Sequence, residues 1–444
     1  MEKLMHYVWQ HKLWLQSEMT TVDGRRVQVI DPGLHNNDAG PDFFNAKLQI
    51  GGEMWCGNVE IHVRASDWFR HGHQRDMAYD SVVLHVVGSD DTRITRADGS
   101  EIPQLVMTCA PDFSVSYDRM VNNADEPSCR RHLPELSPLY VTDWLSSLAY
   151  ERLYQKVDHI RWLYDRLGGN WAEVLYVTLA RALGFGINSE PFERLALATP
   201  LHCLMKHRDS AESVEGMLFG QAGFLDNPGD SSHYVSRMQQ EYEFMKVKFG
   251  LQRPSSLGWR MARMRPQNFP HRRIATLAAL ICRGFGVASD IFNVTSEAEA
   301  RRLFDIELTG YWSRRYNFMS DSAPSVRALS QDSITVLIIN VVVPMLYAYG
   351  MAFDDGRRME AAIELLHSLK SESNTIVRMF GEAGIKSCDA FTSQALIQLR
   401  RNYCEPRKCL YCRLGHRILS GMAHSGSPSI SGLLYTSDAA HQYP

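Results

Sequence analysis

The chain has 444 residues, 45% of them hydrophobic and 22% charged, with a formal net charge of −3. That length exceeds the roughly 250–300 residues at which a single core stops growing, so two or more domains are expected. The charge balance excludes a generally basic nucleic-acid binder, and nine cysteines at scattered spacing argue against a secreted disulfide framework.

The N-terminal MEKLMHYVWQHKLWLQ lacks an unbroken apolar run and a small-residue cleavage site, reads as an amphipathic helix, and leads to the expectation of a cytoplasmic protein. A strand at Val27 to Ile30 precedes two longer ones, Phe43 to Ile50 and Met54 to Val63, joined by Gly51-Gly52, a pair suited to a tight hairpin with positive φ. Pairing symmetric about that turn sets Phe43 opposite Glu60 and Asp42 opposite Ile61. Alternation puts Asn58, Glu60, His62 and Arg64 on one face and Val59, Ile61 and Val63 on the other. Asp42 and Glu60 are then close enough to share a hard divalent cation, given a bulge or bend at Pro41-Asp42 that turns the first carboxylate. These residues lie in the stretch Asp38 to Asp76, the richest in acidic and imidazole side chains. A helix at Ser66 to His71, a buried strand at Ser81 to Val87 carrying His85, and a strand at Glu101 to Met107 complete an α/β domain over residues 1–110.

Residues 111–138 contain Pro111, Pro127, Pro134 and Pro138 and read as a connection. Helical spacing then takes over, giving an α-helical domain over 139–421 and an α+β class for the chain. Within it, Gly184 and Gly186 end one helix and Pro191 lies near the start of the next, so Arg181, Asn188 and Glu190 read as caps and ion pairs. Phe244 to Ser289 holds no acidic residue but nine cations, of which Arg260, Arg263, Arg265, Arg272 and Arg273 are candidate contacts to the phosphates of DNA or RNA; a solvated helical face is the alternative. Ile334 to Phe353 is uncharged and long enough to span a bilayer, yet Asn340, Pro344 and Gly350 interrupt it, and a buried helix rather than a membrane span is expected. Cys404-x4-Cys409-x2-Cys412 brings three thiols within reach of one metal, with Cys129 or His416 as fourth ligand and Zn²⁺ or an iron–sulfur cluster as occupant; ordinary buried thiols are the alternative. Residues 422–444 read as a disordered tail, in which LLYTSDAA resembles translated sequencing adapter.

Pro41-Asp42 followed by Glu60-x-His62, in the order helix, three strands, helix, strand, resembles the PD-(D/E)xK nucleases, with histidine where that family usually has lysine. The resemblance implies a restriction-endonuclease-like core, Asp42 and Glu60 as ligands of Mg²⁺ or Mn²⁺, and His62 as the third catalytic residue, acting as base, ligand or structural group. One distant and three clustered cysteines resemble the clasp of iron–sulfur nucleases, with the downstream spacings in reverse order. GPDFFNA, GNVEIHVRASDW, HGHQRD, LARALGFGINSEPFERLA, RPQNFPHRRIA and NYCEPRKCLYCRLG are together similar to an uncharacterised bacterial family, domain of unknown function 2851, which implies no activity. The expectation is a metal-dependent nuclease or phosphodiesterase. His71, His73 and Asp76 would orient Glu60 and His62, or themselves bind Zn²⁺ or Mn²⁺ in a hydrolase of another type. The remaining alternative is a non-catalytic nucleic-acid-binding or scaffold protein with a degenerate nuclease core.

Overall fold

A computed structural model describes residues 1–424 except Leu15, Ser17, Asn37, Asp38, Ala97, Ala110, 123–125, 285–287, Ser320 and 323–326. The first residue of the Asp38 to Asp76 stretch and the tail beyond His424 therefore lie outside the described residues. The chain divides into two compact units, Met1–Trp144 with the chain from Arg400 onward, and Leu145–Leu399. The cysteine-bearing segment thus belongs with the sheet, not with the helical domain over 139–421 to which sequence spacing assigned it. The reason is burial: Leu410, Ile418 and Leu419 sit in the core of the first unit.

In that unit, α1 (Glu2–Gln10) is followed by β1 (Met19–Thr20), β2 (Arg26–Asp31), β3 (Leu34–His35), β4 (Phe43–Ile50), β5 (Glu53–Arg64), α2 (Asp67–His71), β6 (Val82–Ser89) and β7 (Gln104–Val106). The sheet order is β1-β2-β4-β5-β6-β7, with β3 also pairing with β4. β2, β4 and β5 form an antiparallel meander; β6 returns parallel to β5 after α2, and β7 parallel to β6. The proline-rich connection holds a helix of its own, α3 (Pro111–Asn122), which places Phe113 and Met120 in the core. α1 packs on β5 and buries Leu4, Met5, Val8 and Trp9, while Val59 and Ile61 of β5 and Leu84 and Val86 of β6 face the same core. Residues of opposite parity, Glu60, His62 and His85, are carried to the other face, where Trp68 of α2 meets His85 at 5.5 Å between ring centroids.

The hairpin turn has both glycines at positive φ, 61° at Gly51 and 92° at Gly52, as a tight two-residue turn requires. Pairing is symmetric about it from Ile50↔Glu53 to Ala46↔Gly57, then slips by one residue so that Phe43 faces Val59 instead of Glu60. The cause is a bulge at Phe44 and Asn45, with Asn45 at φ 57°. Phe43 and Ala46 consequently share the core although their parities differ. Gly33 lies against this bulge so closely that a Cβ would come within 2.6 Å of the Phe44 carbonyl oxygen.

The second unit is helical. Its helix Trp171–Leu183 ends at Gly184, and Ser189–Ala198 carries Pro191 near its start. Arg181 pairs with Glu193 at 2.6 Å, and Asn188 clamps the backbone of Arg260 by accepting from its N–H at 2.9 Å and donating to its carbonyl at 2.8 Å. Gln331–Ala352, the stretch long and apolar enough to cross a membrane, is mostly buried within the protein and contains a π-helical turn at Ile338–Val342.

Candidate metal centre

The register slip has a chemical result. It brings Asp42 alongside Glu60: the Asp42 N–H donates to Glu60 Oε2 at 3.1 Å, and Asp42 Oδ2 accepts from the Ile61 N–H at 2.8 Å. The bulge that turns Asp42 lies at Phe44 and Asn45 rather than at Pro41-Asp42. One oxygen of Glu60 is thereby pinned, and the other, Oε1, lies 3.5 Å from His62 Nε2 and 3.3 Å from His73 Nε2.

His71, at the end of α2, and His73, in the 3-10 turn that follows, fold back over β5 because Gly72 between them takes the left-handed conformation, φ 81°. His62 Nε2 lies 3.1 Å from His71 Nδ1, and one ring nitrogen from each of His62, His71 and His73 lies within 4.8 Å of the other two. His73 stacks on Tyr79 at 3.8 Å between centroids, and its buried Nε2 has Glu60 Oε1 nearby but no hydrogen bond of normal geometry. Three imidazole nitrogens gathered in this way, with a carboxylate oxygen beside two of them, fit a divalent cation. His62 is buried and His73 partly so, while His71 is exposed and forms the rim of the site.

Burial, and next the charges of His85, His73 and His71, push the His62 pKa down to about 2, leaving a neutral imidazole. It therefore lacks the fixed positive charge of the lysine that the nuclease resemblance would call for, but a neutral imidazole is what a metal ligand needs. Its Nδ1 lies 2.8 Å from His85 Nε2, so a metal on Nε2 would leave Nδ1–H donating to His85. His85 is itself pushed down to about 3, mainly by burial. Burial raises the Glu60 carboxyl above its ordinary range; His73 opposes that and the charge of Asp42 adds to it. Glu60 is only 4% exposed, and a cation beside it would stabilise its charged form.

His6 of α1 was not singled out from sequence. Its Nε2 lies 3.3 Å from Asp42 Oδ2. Burial lowers its pKa, but the bond to Asp42 and the charges of Asp42, Glu2 and Glu60 outweigh that, and the net shift is upward. Only the packing of α1 on β5 makes this neighbour, so no local pattern reveals it. Asp76 is placed elsewhere: its carboxylate caps the turn Met77–Tyr79 by accepting from the Ala78 N–H.

Two of the proposed phosphate-binding arginines are withdrawn from solvent. Arg272 is 1% exposed and donates to the carbonyls of Trp312, Arg315 and Arg327; Arg273, 2% exposed, donates to Ala328 O and Asn268 Oδ1. They lie on the buried side of the helix Pro270–Cys282 and tie loops together. Arg260, Arg263 and Arg265 are exposed.

A family model described as a protein of unknown function, DUF2851, matches residues 2–375. The chain belongs to that family. The matched span includes the whole His and carboxylate cluster and Cys129, and ends before Cys404. No curated protein and no solved structure matches the chain.

Proposed function

We propose that Glu60, His62, His71 and His73 hold a divalent cation and that the protein is a metal-dependent nuclease or phosphodiesterase. The observation that carries this reading is the gathering of three imidazole nitrogens, with Glu60 Oε1 beside two of them, those of His62 and His73. Three nitrogen donors favour Mn²⁺ or Zn²⁺ over Mg²⁺, which prefers an all-oxygen shell. When bound, such a cation neutralises charge on a phosphodiester and lowers the pKa of a water molecule. Asp42 holds Glu60 in place through its N–H and faces His6. His6, its pKa raised, is the group able to deliver a proton to a departing oxygen.

Phosphodiester chemistry is supported by the order of elements. Asp42 precedes the second strand of the antiparallel meander, Glu60 and His62 lie on the third, and a helix then leads to a parallel strand. That is the arrangement the nuclease resemblance implies. Arg260, Arg263 and Arg265 are the remaining candidates for contacts to nucleic acid.

The test is cleavage of single-stranded DNA, duplex DNA and RNA by contaminant-free protein with Mn²⁺, Zn²⁺ or Mg²⁺. Cleavage that falls at least ~100-fold in both Glu60→Gln and His73→Ala is expected, the size of effect for lost metal-ion and electrostatic stabilisation. Unchanged cleavage in both variants rejects the site. Metal binding without cleavage of any substrate favours the scaffold reading, to which the deep burial of Glu60 would then belong.

A further inference from the structure

The cysteines form a second constellation within the first unit, independent of the histidine centre. Cys404 ends the π-helical turn Leu399–Cys404, and Cys409 and Cys412 lie in the turn that opens the helix Arg413–His424. Cys129 is far away in sequence but is brought to them by two pairs of contacts: Arg400 Nη2 reaches both carboxylate oxygens of Glu126 at 3.0 Å, and Arg407 bonds to Ser128. Cys404 thereby has Cys412, Cys129 and Cys409 as near neighbours, and Cys129 has Cys412 and Cys409. All four thiols are free of disulfides.

We propose that Cys129, Cys404, Cys409 and Cys412 hold a thiophilic metal centre, zinc or an iron–sulfur cluster, with Cys129 as the fourth ligand. The surroundings are arranged for sulfur that carries negative charge. The backbone N–H groups of Leu414 and Gly415 point at the Cys412 sulfur. The Trp144 indole N–H points there as well; Trp144 is 8% exposed, and its nitrogen has no hydrogen-bond partner of normal geometry. Such donors stabilise a thiolate, whereas a neutral thiol is a weak acceptor. Arg407 acts on Cys409 and Arg400 on Cys404 in the same sense. The position is also rigid, because a Cβ on Gly415 would come within 2.2 Å of the Cys409 carbonyl oxygen.

His416, the other candidate for fourth ligand, is engaged elsewhere. Its Nδ1 bonds to the Tyr7 hydroxyl and its ring packs 4.7 Å from His11. As to the occupant, among the described residues no three of the four sulfurs lie within 4.8 Å of one another. Sulfurs on a single zinc, each about 2.3 Å from it, would sit roughly 3.8 Å apart. The wider spacing favours an iron–sulfur cluster.

The full chain should be purified anaerobically and its iron, acid-labile sulfide, zinc and visible absorbance measured. Iron and sulfide in about equal amounts with brown absorbance are expected, lost in Cys129→Ser as fully as in Cys409→Ser and retained in His416→Ala. About one zinc per chain with the same dependence on variants keeps the four-thiolate site and rejects the cluster. Metal lost in His416→Ala and retained in Cys129→Ser overturns the ligand assignment. Absence of metal both as purified and after reconstitution with zinc, or with iron and sulfide, overturns the site. If the serine variants do not fold, alkylation of wild-type protein decides. The exposed Cys56 and Cys388 should react at once, and the four ligand thiols only after the metal is stripped. Equal reactivity before stripping overturns the proposal.

Discussion

His62 and His85 are held neutral inside the sheet unit, and this ties folding to pH. Their folded pKa values, about 2 and about 3, lie below the ordinary 6.5, so the unfolded chain takes up protons that the folded one refuses. Stability from this source is present above pH 6.5 and is lost as pH falls toward those values. Between pH 7 and pH 5 the loss is about 2 kcal/mol for each histidine, treated separately. Glu60 runs the other way: its raised pKa favours the metal-free fold at pH below the ordinary carboxyl value, and that contribution is lost as pH rises through the raised value. Denaturant titrations at pH 7 and pH 5 should show the acid loss in wild-type protein and a smaller one in His62→Gln. The same slope in both would show that His62 is charged in the fold. Saturating Mn²⁺ or Zn²⁺ should raise the melting temperature at pH 7 and do so less in Glu60→Gln, since a ligand that binds only the folded state stabilises it.

Among the elements, the β4–β5 hairpin sets the geometry through one extra residue. Gly51-Gly52 and the alternation of β5 made its turn, its near-turn register and the shared face of Glu60 and His62 readable from sequence. The bulge was not readable in place, because a non-glycine residue at φ 57° leaves no signature in FFNAK; only the need for something to turn Asp42 was foreseen. Deleting Asn45 removes the extra residue, so Phe43 should stay opposite Val59 and Asp42 beside Glu60. The expected outcome is a folded sheet by circular dichroism with metal affinity kept. Loss of metal affinity in a folded variant would show that the local twist of the bulge, and not the pairing alone, positions Asp42. Asn45→Gly should be near neutral, and Asn45→Val should cost about 1–2 kcal/mol, as a branched side chain does at left-handed φ. Similar limits explain the arginines. The count of cations in Phe244 to Ser289 was plain, but which of them a helix turns inward depends on the Trp312, Arg327 and Ala328 carbonyls, which lie on other segments. His6 escaped notice for the same reason, since its partner is set by tertiary packing.

At the scale of the whole molecule, the change from strand alternation to helical spacing foretold a sheet part and a helical part, but not that the first includes the segment from Arg400 onward. Leu410, Ile418 and Leu419 share a core with Val8, Val59 and Leu84. A fragment of residues 1–144 would expose the apolar surface they cover. It should lack a cooperative thermal transition and regain one when a peptide of residues 400–424 is added. A sharp transition in the fragment alone, at the temperature of the intact sheet unit, would show that the C-terminal segment is an accessory. The arrangement also imposes a delay during synthesis. After Trp144 leaves the ribosome, the whole of Leu145–Leu399 must be translated before the missing part of the sheet unit exists, roughly 10–50 s at ordinary elongation rates. In that interval the nascent sheet has an unfinished face, and the hazard of wrong association falls on the newborn chain rather than on the finished protein.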